Sequence, residues 1–115
     1  MVARHLLIHV HGNNFDAVTA ALRVARNSST ELGADVSIHI VAQGPLVRQL
    51  AKGSPIAPDL AETIHSGQIE VLACRNSMTS AELRPNDLQP GVTTTPSAVA
   101  FLAEQQFNGW AYVRL

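Results

Sequence analysis

Hydrophobic runs alternate with short polar segments along the whole chain of 115 residues. The run over residues 4–10 is almost continuously apolar apart from its histidines, which predicts a buried central strand. After a polar turn with Asn13 or Asn14 as N-cap, apolar residues recur at helical spacing. The pattern predicts an amphipathic helix that ends before Gly33 and buries Phe15, Val18, Ala21, Leu22 and Ala25.

The rest of the chain repeats this alternation. Further strands are predicted over residues 35–42, 69–74, 92–95 and 110–113, and residues 54–58, which include two prolines, are predicted to form a loop. Two helical segments direct their apolar positions inward: Leu46, Val47 and Leu50 in the second helix, and Leu60, Ala61 and Ile64 in the third. Residues 78–83 are compatible with a fourth helix. The last helix is predicted to start at Pro96, and Val99, Leu102, Ala103 and Gln106 continue its period.

Five alternations of strand and helix predict an α/β fold in which helices cover both faces of a parallel sheet. Since crossovers between parallel strands are right-handed, the expected architecture is a flavodoxin-like three-layer α/β/α sandwich with a mostly parallel five-stranded sheet. The length suits one core, so residues 1–115 are expected to form a single domain.

Composition narrows the classes of function. The formal net charge is −1 and only 4% of the residues are aromatic, so we expect neither a nucleic-acid partner nor a membrane partner. Residues 1–5 do not resemble a signal peptide, and the apolar stretch after them is too short to span a bilayer. Together with the absence of a disulfide framework, these features predict a cytoplasmic protein.

Cys74 is the only cysteine, and it ends the apolar run over residues 69–74. In parallel sheets, functional groups gather at the carboxyl ends of the strands. A thiol at the start of a helix, beside Arg75 and the N–H groups of Asn76 and Ser77, would have a lowered pKa. Cys74 is therefore a candidate nucleophile. The alternative is that it packs as a small buried hydrophobic residue.

Polar residues also follow the other strands at the same predicted edge, which makes them candidate binding residues: Asn13, Asn14, Gln43, Gly44, Arg75, Asn76, Ser77, Thr95 and Ser97. The alternative is that these loop ends are polar because they meet water and cap helices. No cofactor is predicted, because the first loop has a single glycine, Gly12, and no phosphate cradle. Ser80 lies where phosphatase chemistry on this fold would require an arginine six residues after the cysteine.

His9 and His11 alternate along the first strand and share one face of it. Metal hydrolases use this spacing to bind one ion with two imidazoles, but a third ligand is missing nearby, so no metal is predicted. A metal site that uses His9 and His11 stays as a third alternative for the function. Histidines of a core or of a subunit interface are the favoured interpretation. His11, at the carboxyl end of the strand, is a candidate base for Cys74.

The chain resembles the small single-domain members of the DsrE/DsrF-like family. The resemblance lies in residues 71–78, Pro90-Gly91-Val92, residues 96–99 and residues 109–113. The resemblance implies a flavodoxin-like homo-oligomer. It also implies that Cys74, after the third strand, is a nucleophile that carries sulfur as a persulfide between a donor and an acceptor protein. In the family's relay proteins the segment after the cysteine is an Ala-rich helix, whereas this chain has Arg75-Asn76-Ser77 and a proline-broken stretch.

Two functions are expected from these observations. The first is an intracellular sulfur carrier or sulfurtransferase-like protein that uses Cys74. The alternative is a non-catalytic homo-oligomeric module that binds a small ligand or a partner and has a buried cysteine. Because 46% of the residues are hydrophobic and 15% are charged, apolar surface should remain after one small core is filled, which favours a homo-oligomer in both cases.

Overall fold

The computed structural model describes residues 3–115, so Met1 and Val2, which begin the segment considered as a signal peptide, lie outside it. Five strands form one entirely parallel sheet in the order β4-β3-β2-β1-β5. The prediction of a parallel five-stranded sheet is confirmed. The strands are β1 (Arg4–His11), β2 (Val36–Gln43), β3 (Ile69–Cys74), β4 (Thr93–Thr95) and β5 (Ala111–Arg114).

Helices connect successive strands and complete the predicted flavodoxin-like three-layer sandwich. Two connections also contain short 3-10 helices, Pro45–Leu50 and Pro85–Asp87. Within residues 3–115, no helix is both long and apolar enough to cross a membrane. The α-helices are α1 (Asp16–Leu32), α2 (Ala57–His65), α3 (Arg75–Ser80) and α4 (Ala98–Phe107).

The order of the strands explains why the two faces of the sheet are covered unequally. From β1 to β4 each new strand is added on the same side of the previous one, so right-handed crossovers place the connecting segments on one face. The chain then returns to the other side of β1 to form β5, which places α4 on the opposite face. We call these the covered face and the α4 face.

Side chains alternate between the two faces along each strand. In β1, Leu6, Ile8 and Val10 belong to the large core of the covered face, whereas Leu7 belongs to a small cluster on the α4 face. The same alternation places His9 with Leu7 on the α4 face. The cluster on that face consists of Leu7, Val41, Cys74, Ala98 and Leu102, with Phe101 and Trp110 packed against it.

Several details of the helices differ from the sequence-based predictions. Phe15 is the N-cap of α1 and is 40% exposed, whereas burial was predicted. The Asn14 side chain lies one residue earlier and accepts a hydrogen bond from the N–H of Asp16, so neither asparagine is the N-cap. Pro58 lies in the first turn of α2 and not in a loop, since an N-terminal turn does not need its missing N–H.

The last helix also begins later than predicted. α4 begins at Ala98 and not at Pro96, which was predicted as its first residue. Ser97 is the N-cap, and its hydroxyl accepts a hydrogen bond from the N–H of Ala100 at 3.3 Å. With this start, Ala98 and Leu102 are directed to the sheet and Val99 is 63% exposed. Val99 thus continues the helical period as predicted, but it lies on the side of the helix that faces away from the sheet.

Candidate functional site

Cys74 is the last residue of β3, and α3 begins at the next residue. Its side chain lies on the α4 face among Leu7, Val41, Ala98 and Leu102, and the residue is only 2% exposed. The thiol is thus at the predicted carboxyl edge of the sheet, but it is covered by the first turn of α4.

Two helices begin beside the sulfur atom. The extended backbone of Cys74 (ψ 120°) leads into α3, which directs the N–H groups of Asn76 and Ser77 toward the thiol. The N-terminus of α4 contributes the N–H of Ala98 from the other side, and the hydroxyl of Ser77 is a fourth donor. Donors of this kind stabilise the negatively charged thiolate more than the neutral thiol.

Burial by itself raises the pKa of the Cys74 thiol, because an apolar environment disfavours the thiolate. Hydrogen bonds from the Ser77 hydroxyl and from the N–H groups of Ser77, Ala98 and Asn76 act in the opposite direction and outweigh it. The net pKa of Cys74 lies below the ordinary value for cysteine. A buried cysteine that only fills space would have a raised pKa.

The Ser77 hydroxyl is held in place by the loop after β2. Its oxygen accepts a hydrogen bond of 2.8 Å from the N–H of Gly44, which leaves the hydroxyl proton for Cys74. Gly44 has a φ of 84°, and a Cβ there would lie 3.1 Å from the backbone of Gly12 and from Cδ2 of His11. Only glycine fits this close approach without a shift of the neighbouring loop.

The loop after β1 lies farther from the sulfur than predicted. β2 separates β1 from β3, so His11 and Cys74 end strands that are two strand spacings apart, roughly 10 Å. His11, Asn13 and Asn14 are exposed, and none of them is among the groups that stabilise the thiolate. The interpretation of His11 as a direct base for Cys74 is therefore not supported.

Gln43 and His9 belong to a separate hydrogen-bonded chain on the α4 face. His9 is buried, and its Nε2 lies 2.9 Å from Oε1 of Gln43 while its Nδ1 lies 2.7 Å from the hydroxyl of Tyr112. Because Gln43 Oε1 can only accept, Nε2 carries the proton and Tyr112 donates to Nδ1. His9 is a core histidine with both nitrogens partnered. Its pKa is lowered by burial and by the charges of Arg114 and His11.

The remaining candidate binding residues lie on the elements next to Cys74. Arg75 and Asn76 are exposed on the first turn of α3, next to Cys74. Thr95 is paired with Cys74 across β3 and β4 and is buried, and its hydroxyl donates to the carbonyl of Ser97 at 3.4 Å. Ser97 caps α4 and thereby fixes the Ala98 N–H at the sulfur.

No group of three or more histidine, cysteine or acidic side chains is arranged to hold a metal ion within residues 3–115. The α4 face carries further histidines at the opposite edge of the sheet, where His39 Nε2 pairs with Glu70 Oε2 at 3.0 Å. Burial lowers the pKa of His39, the Glu70 carboxylate raises it, and the charge of His5 lowers it, with a net decrease.

Two functional features were missed by the sequence-based predictions. The N–H of Ala98 reaches the sulfur from a helix 24 positions later in the chain, and the Pro96-Ser97 pair is the sequence signal that could have revealed this helix start. A pocket of about 240 Å³ also opens between Pro45–Leu50 and α3. It is lined by Gly44, Pro45, Arg48, Ser77, Ser80 and Ala81.

Comparison with known proteins finds similar folds. No protein-family model matches the chain, and no curated protein matches it. A solved structure of a protein of unknown function, MTH1491 from Methanobacterium thermoautotrophicum, matches with a TM-score of 0.88 and 26% identity over 97% of this chain and 99% of that one.

Two further solved structures share the fold. The ychN protein from E. coli has a TM-score of 0.80 and 15% identity, covering 97% of this chain and 99% of its own. A conserved protein of unknown function, BT1422 from Bacteroides thetaiotaomicron, has a TM-score of 0.76 and 22% identity, covering 96% and 94%. The chain therefore has a flavodoxin-like fold that also occurs, over nearly its full length, in proteins whose function is unknown.

Proposed function

We propose that this chain is a DsrE/DsrF-like protein, with one domain over residues 1–115, that carries sulfur as a persulfide on Cys74. The single observation that carries the proposal is the position of Cys74, which ends β3 directly before α3 and packs against Ala98 at the start of α4, so that two helix N-termini meet at one thiol. Four donors from two helices offset the cost of burying a negative charge there. Such an arrangement favours a working thiolate over a packed thiol.

The proposed reaction is sulfur transfer without net oxidation. The Cys74 thiolate attacks the outer sulfur of a persulfide or polysulfide donor, and a bond between the two sulfurs forms. The sulfur–sulfur bond of the donor breaks, and its electron pair leaves with the remaining donor sulfur as a thiolate. A second thiolate then attacks the outer sulfur on Cys74 and restores the Cys74 thiolate. The donors around the sulfur stabilise the anion at both ends of this cycle.

Burial is compatible with this role. A persulfide is readily attacked by other thiols, so a carrier must shield it until the correct acceptor arrives. Ala98 in the first turn of α4 packs against Cys74, whereas Arg75 and Asn76, which follow Cys74 in the chain, are exposed. A small displacement of this turn would open the thiol to a donor in a cytoplasmic homo-oligomer, which is the proposed setting.

A second candidate function is a non-catalytic homo-oligomeric module with a buried cysteine. The 2% exposure of Cys74 favours it, as does the wholly exposed edge strand β5, where Tyr112 and Val113 are 38% and 44% exposed. An open strand edge with exposed apolar side chains is suited to a subunit contact. In this role Cys74 would need no reaction with a donor.

The deciding experiment exposes the native protein to sodium polysulfide and measures its intact mass. We expect one added sulfur atom per chain, located on Cys74 by peptide mapping and removed as sulfide by dithiothreitol. Cys74→Ser is the control, and it should gain no sulfur because the chain has no other cysteine.

A parallel measurement separates the two candidates. The native protein and the urea-unfolded protein are treated with iodoacetamide, and the rates of Cys74 alkylation are compared. Sulfur loading with appreciable native alkylation supports the carrier. A native thiol that is neither loaded nor alkylated, but reacts at once after unfolding, refutes the carrier and favours the binding module.

A further inference from the structure

The two edges of the sheet differ in how well they are protected against pairing with another strand. At one edge, β4 has only three residues, and Pro90 and Pro96 lie on either side of it. A short edge strand between prolines offers few free groups to another strand. At the other edge, β5 contains no proline, lysine or acidic residue, and all four of its residues are exposed. β5 is therefore the edge that can accept a further strand.

The backbone of β5 has unpaired hydrogen-bonding groups on its outer side. Leu115 donates its N–H to the carbonyl of His9, and successive residues of a strand direct these groups to opposite sides. The N–H and C=O groups of Tyr112 and Arg114, and the C=O of Trp110, therefore point away from β1. Within residues 3–115 only β1 pairs with β5. The outer groups are thus available to a strand of another molecule.

The sequence of this edge is complementary to itself in one antiparallel register. When Tyr112 faces Tyr112 of the partner subunit, Ala111 faces Val113 of the partner subunit, and Trp110 faces Arg114 of the partner subunit. The two Tyr112 residues then exchange N–H···O=C bonds, because their groups point outward on both strands. Each Arg114 N–H meets the carbonyl of the Trp110 that faces it. The register therefore pairs the outer groups of both strands and puts one apolar side chain against another.

Charge favours the same arrangement. Arg114 is the only charged residue of β5, and antiparallel pairing places its two copies at opposite ends of the paired segment. Like charges directly opposite one another in a ladder are destabilising, whereas a guanidinium beside an aromatic ring such as that of Trp110 is attracted to it. The two-fold contact also closes after two copies. A contact between β5 and the β4 edge of another copy would continue without end and would use the protected edge.

We propose that β5 pairs antiparallel with β5 of a second copy of this chain, centred on Tyr112, so that the two sheets join into one. This inference specifies the contact of the homo-oligomer that is part of the proposed function. It does not depend on sulfur transfer, because β1 and β2 lie between β5 and the strand that ends at Cys74.

The first test measures the molar mass and the dissociation constant of the protein by analytical ultracentrifugation. The parent should be a dimer of 12.3-kDa chains or an assembly of such dimers. Arg114→Pro removes an outward N–H and leaves the bonds to β1 in place, since an edge strand tolerates proline where the N–H faces outward. Two intermolecular bonds are lost, each contributing up to about tenfold, so dissociation into single chains should increase about a hundredfold.

Arg114→Gln is the matched control, because it removes the same charge but keeps the N–H. It should increase dissociation only about threefold, the effect expected for an exposed cation–aromatic contact. Far-UV circular dichroism of Arg114→Pro checks that the variant has the secondary structure of the parent.

A second test contains no proline and uses the Cys74→Ser protein. Tyr112→Cys places two thiols opposite each other at the centre of the proposed contact, with Cα atoms about 5.5 Å apart, which a disulfide can bridge. Mild oxidation should therefore link the chains into covalent dimers. Thr93→Cys, at an exposed position of β4, is the control and should not link them.

A monomeric parent, an assembly with an odd number of chains, or equal dissociation of Arg114→Pro and Arg114→Gln would overturn the inference. So would a Tyr112→Cys protein that links no faster than Thr93→Cys. None of these measurements involves sulfur loading, so their failure is distinct from a failure of Cys74 to load with polysulfide.

Discussion

The two faces of the sheet differ in how they are built. The covered face packs against α1, α2 and the 3-10 helix Pro45–Leu50 with a continuous apolar core. The α4 face has one helix of ten residues and a cluster of five buried residues. The rest of that face carries polar and aromatic side chains, among them His5, His9 and His39.

This difference shows which face of a small domain can stabilise a charged functional group. Cys74 belongs to the α4 face, where a helix start and nearby polar groups can approach the sulfur. On the covered face, the equivalent positions Val71 and Ala73 of the same strand are completely buried in apolar contacts. A cysteine at one of those positions would have no hydrogen-bond donors around its sulfur, so its thiol would remain protonated.

The largest expected effect concerns the unequal packing. Ile40→Ala on the covered face should lower the free energy of unfolding by about 3–5 kcal/mol, because a rigid core does not collapse around the cavity. Leu102→Ala on the α4 face should cost about 2 kcal/mol, since Phe101 and Trp110 can move into the space. Urea denaturation measures both changes in the free energy of unfolding, provided that the m-value of each variant equals that of the parent.

Val99→Ala is the matched control for this pair. Its side chain is 63% exposed on α4, so the change should cost about 0.5 kcal/mol or less. If Leu102→Ala proves as costly as Ile40→Ala, the two faces are equally rigid and the contrast between them is wrong.

The next effect concerns the thiolate. Ser77→Ala removes one donor to Cys74 and the acceptor of the Gly44 N–H, so it should raise the pKa of Cys74. At neutral pH the alkylation rate should fall about tenfold, because a hydrogen bond to a charged group contributes about 1.5 kcal/mol. The measurement is the pH dependence of iodoacetamide alkylation.

Thr79→Ala provides the control on the same short helix, since its hydroxyl donates to the carbonyl of Arg75 and not to the sulfur. It should alkylate like the parent protein. If the pH profile of the Ser77→Ala protein is unchanged, the backbone N–H groups alone lower the pKa of Cys74, and the Ser77 hydroxyl does not contribute to it.

The smallest and most gradual effect is the pH dependence of stability. The pKa values of His9 and His39 are lowered in the folded protein, chiefly by burial, so the neutral imidazoles are favoured there. As the pH falls through 6.5, the ordinary histidine value, the unfolded chain binds protons that the folded chain does not. The free energy of unfolding should therefore decrease until the pH passes the lowered values.

Urea denaturation between pH 7.5 and 5 tests this expectation. His39→Gln and His9→Gln should each flatten the dependence, although Arg114 and His11 around His9, and Glu70 and His5 around His39, remain. Thr79→Ala, at an exposed position of α3, changes no titratable group and should keep the parent slope. A parent protein that gains stability in this range would contradict the expected sign.

Much of the fold could be predicted because its signals are local. The apolar runs ending at His11, Gln43 and Cys74 are bounded by polar loops, and each one is a strand. The helix boundaries were predicted less accurately. Phe15 and Val99 fit a helical period but are exposed. The period alone does not determine which side of a helix faces the sheet, because this also depends on the residue at which the helix begins.

The site was only partly predictable. Asn76 and Ser77 follow Cys74 in the chain, so their approach to the sulfur could be inferred from a helix start. The distance between His11 and Cys74 could not be predicted from the sequence, because it depends on whether β1 lies beside β3 in the sheet. The strand order places β2 between them, which separates the imidazole from the thiol.

By itself, the sequence determined the parallel α/β architecture and the position of Cys74 at the carboxyl end of a buried strand, because hydrophobic period and turn residues act over short distances. Only the tertiary structure decided that the thiol is covered by α4, that Ala98 stabilises its thiolate, and that Gly44 fixes Ser77 between the sulfur and a pocket lined by Arg48. These contacts join residues far apart in the chain, and they depend on which side of the sheet each crossover takes.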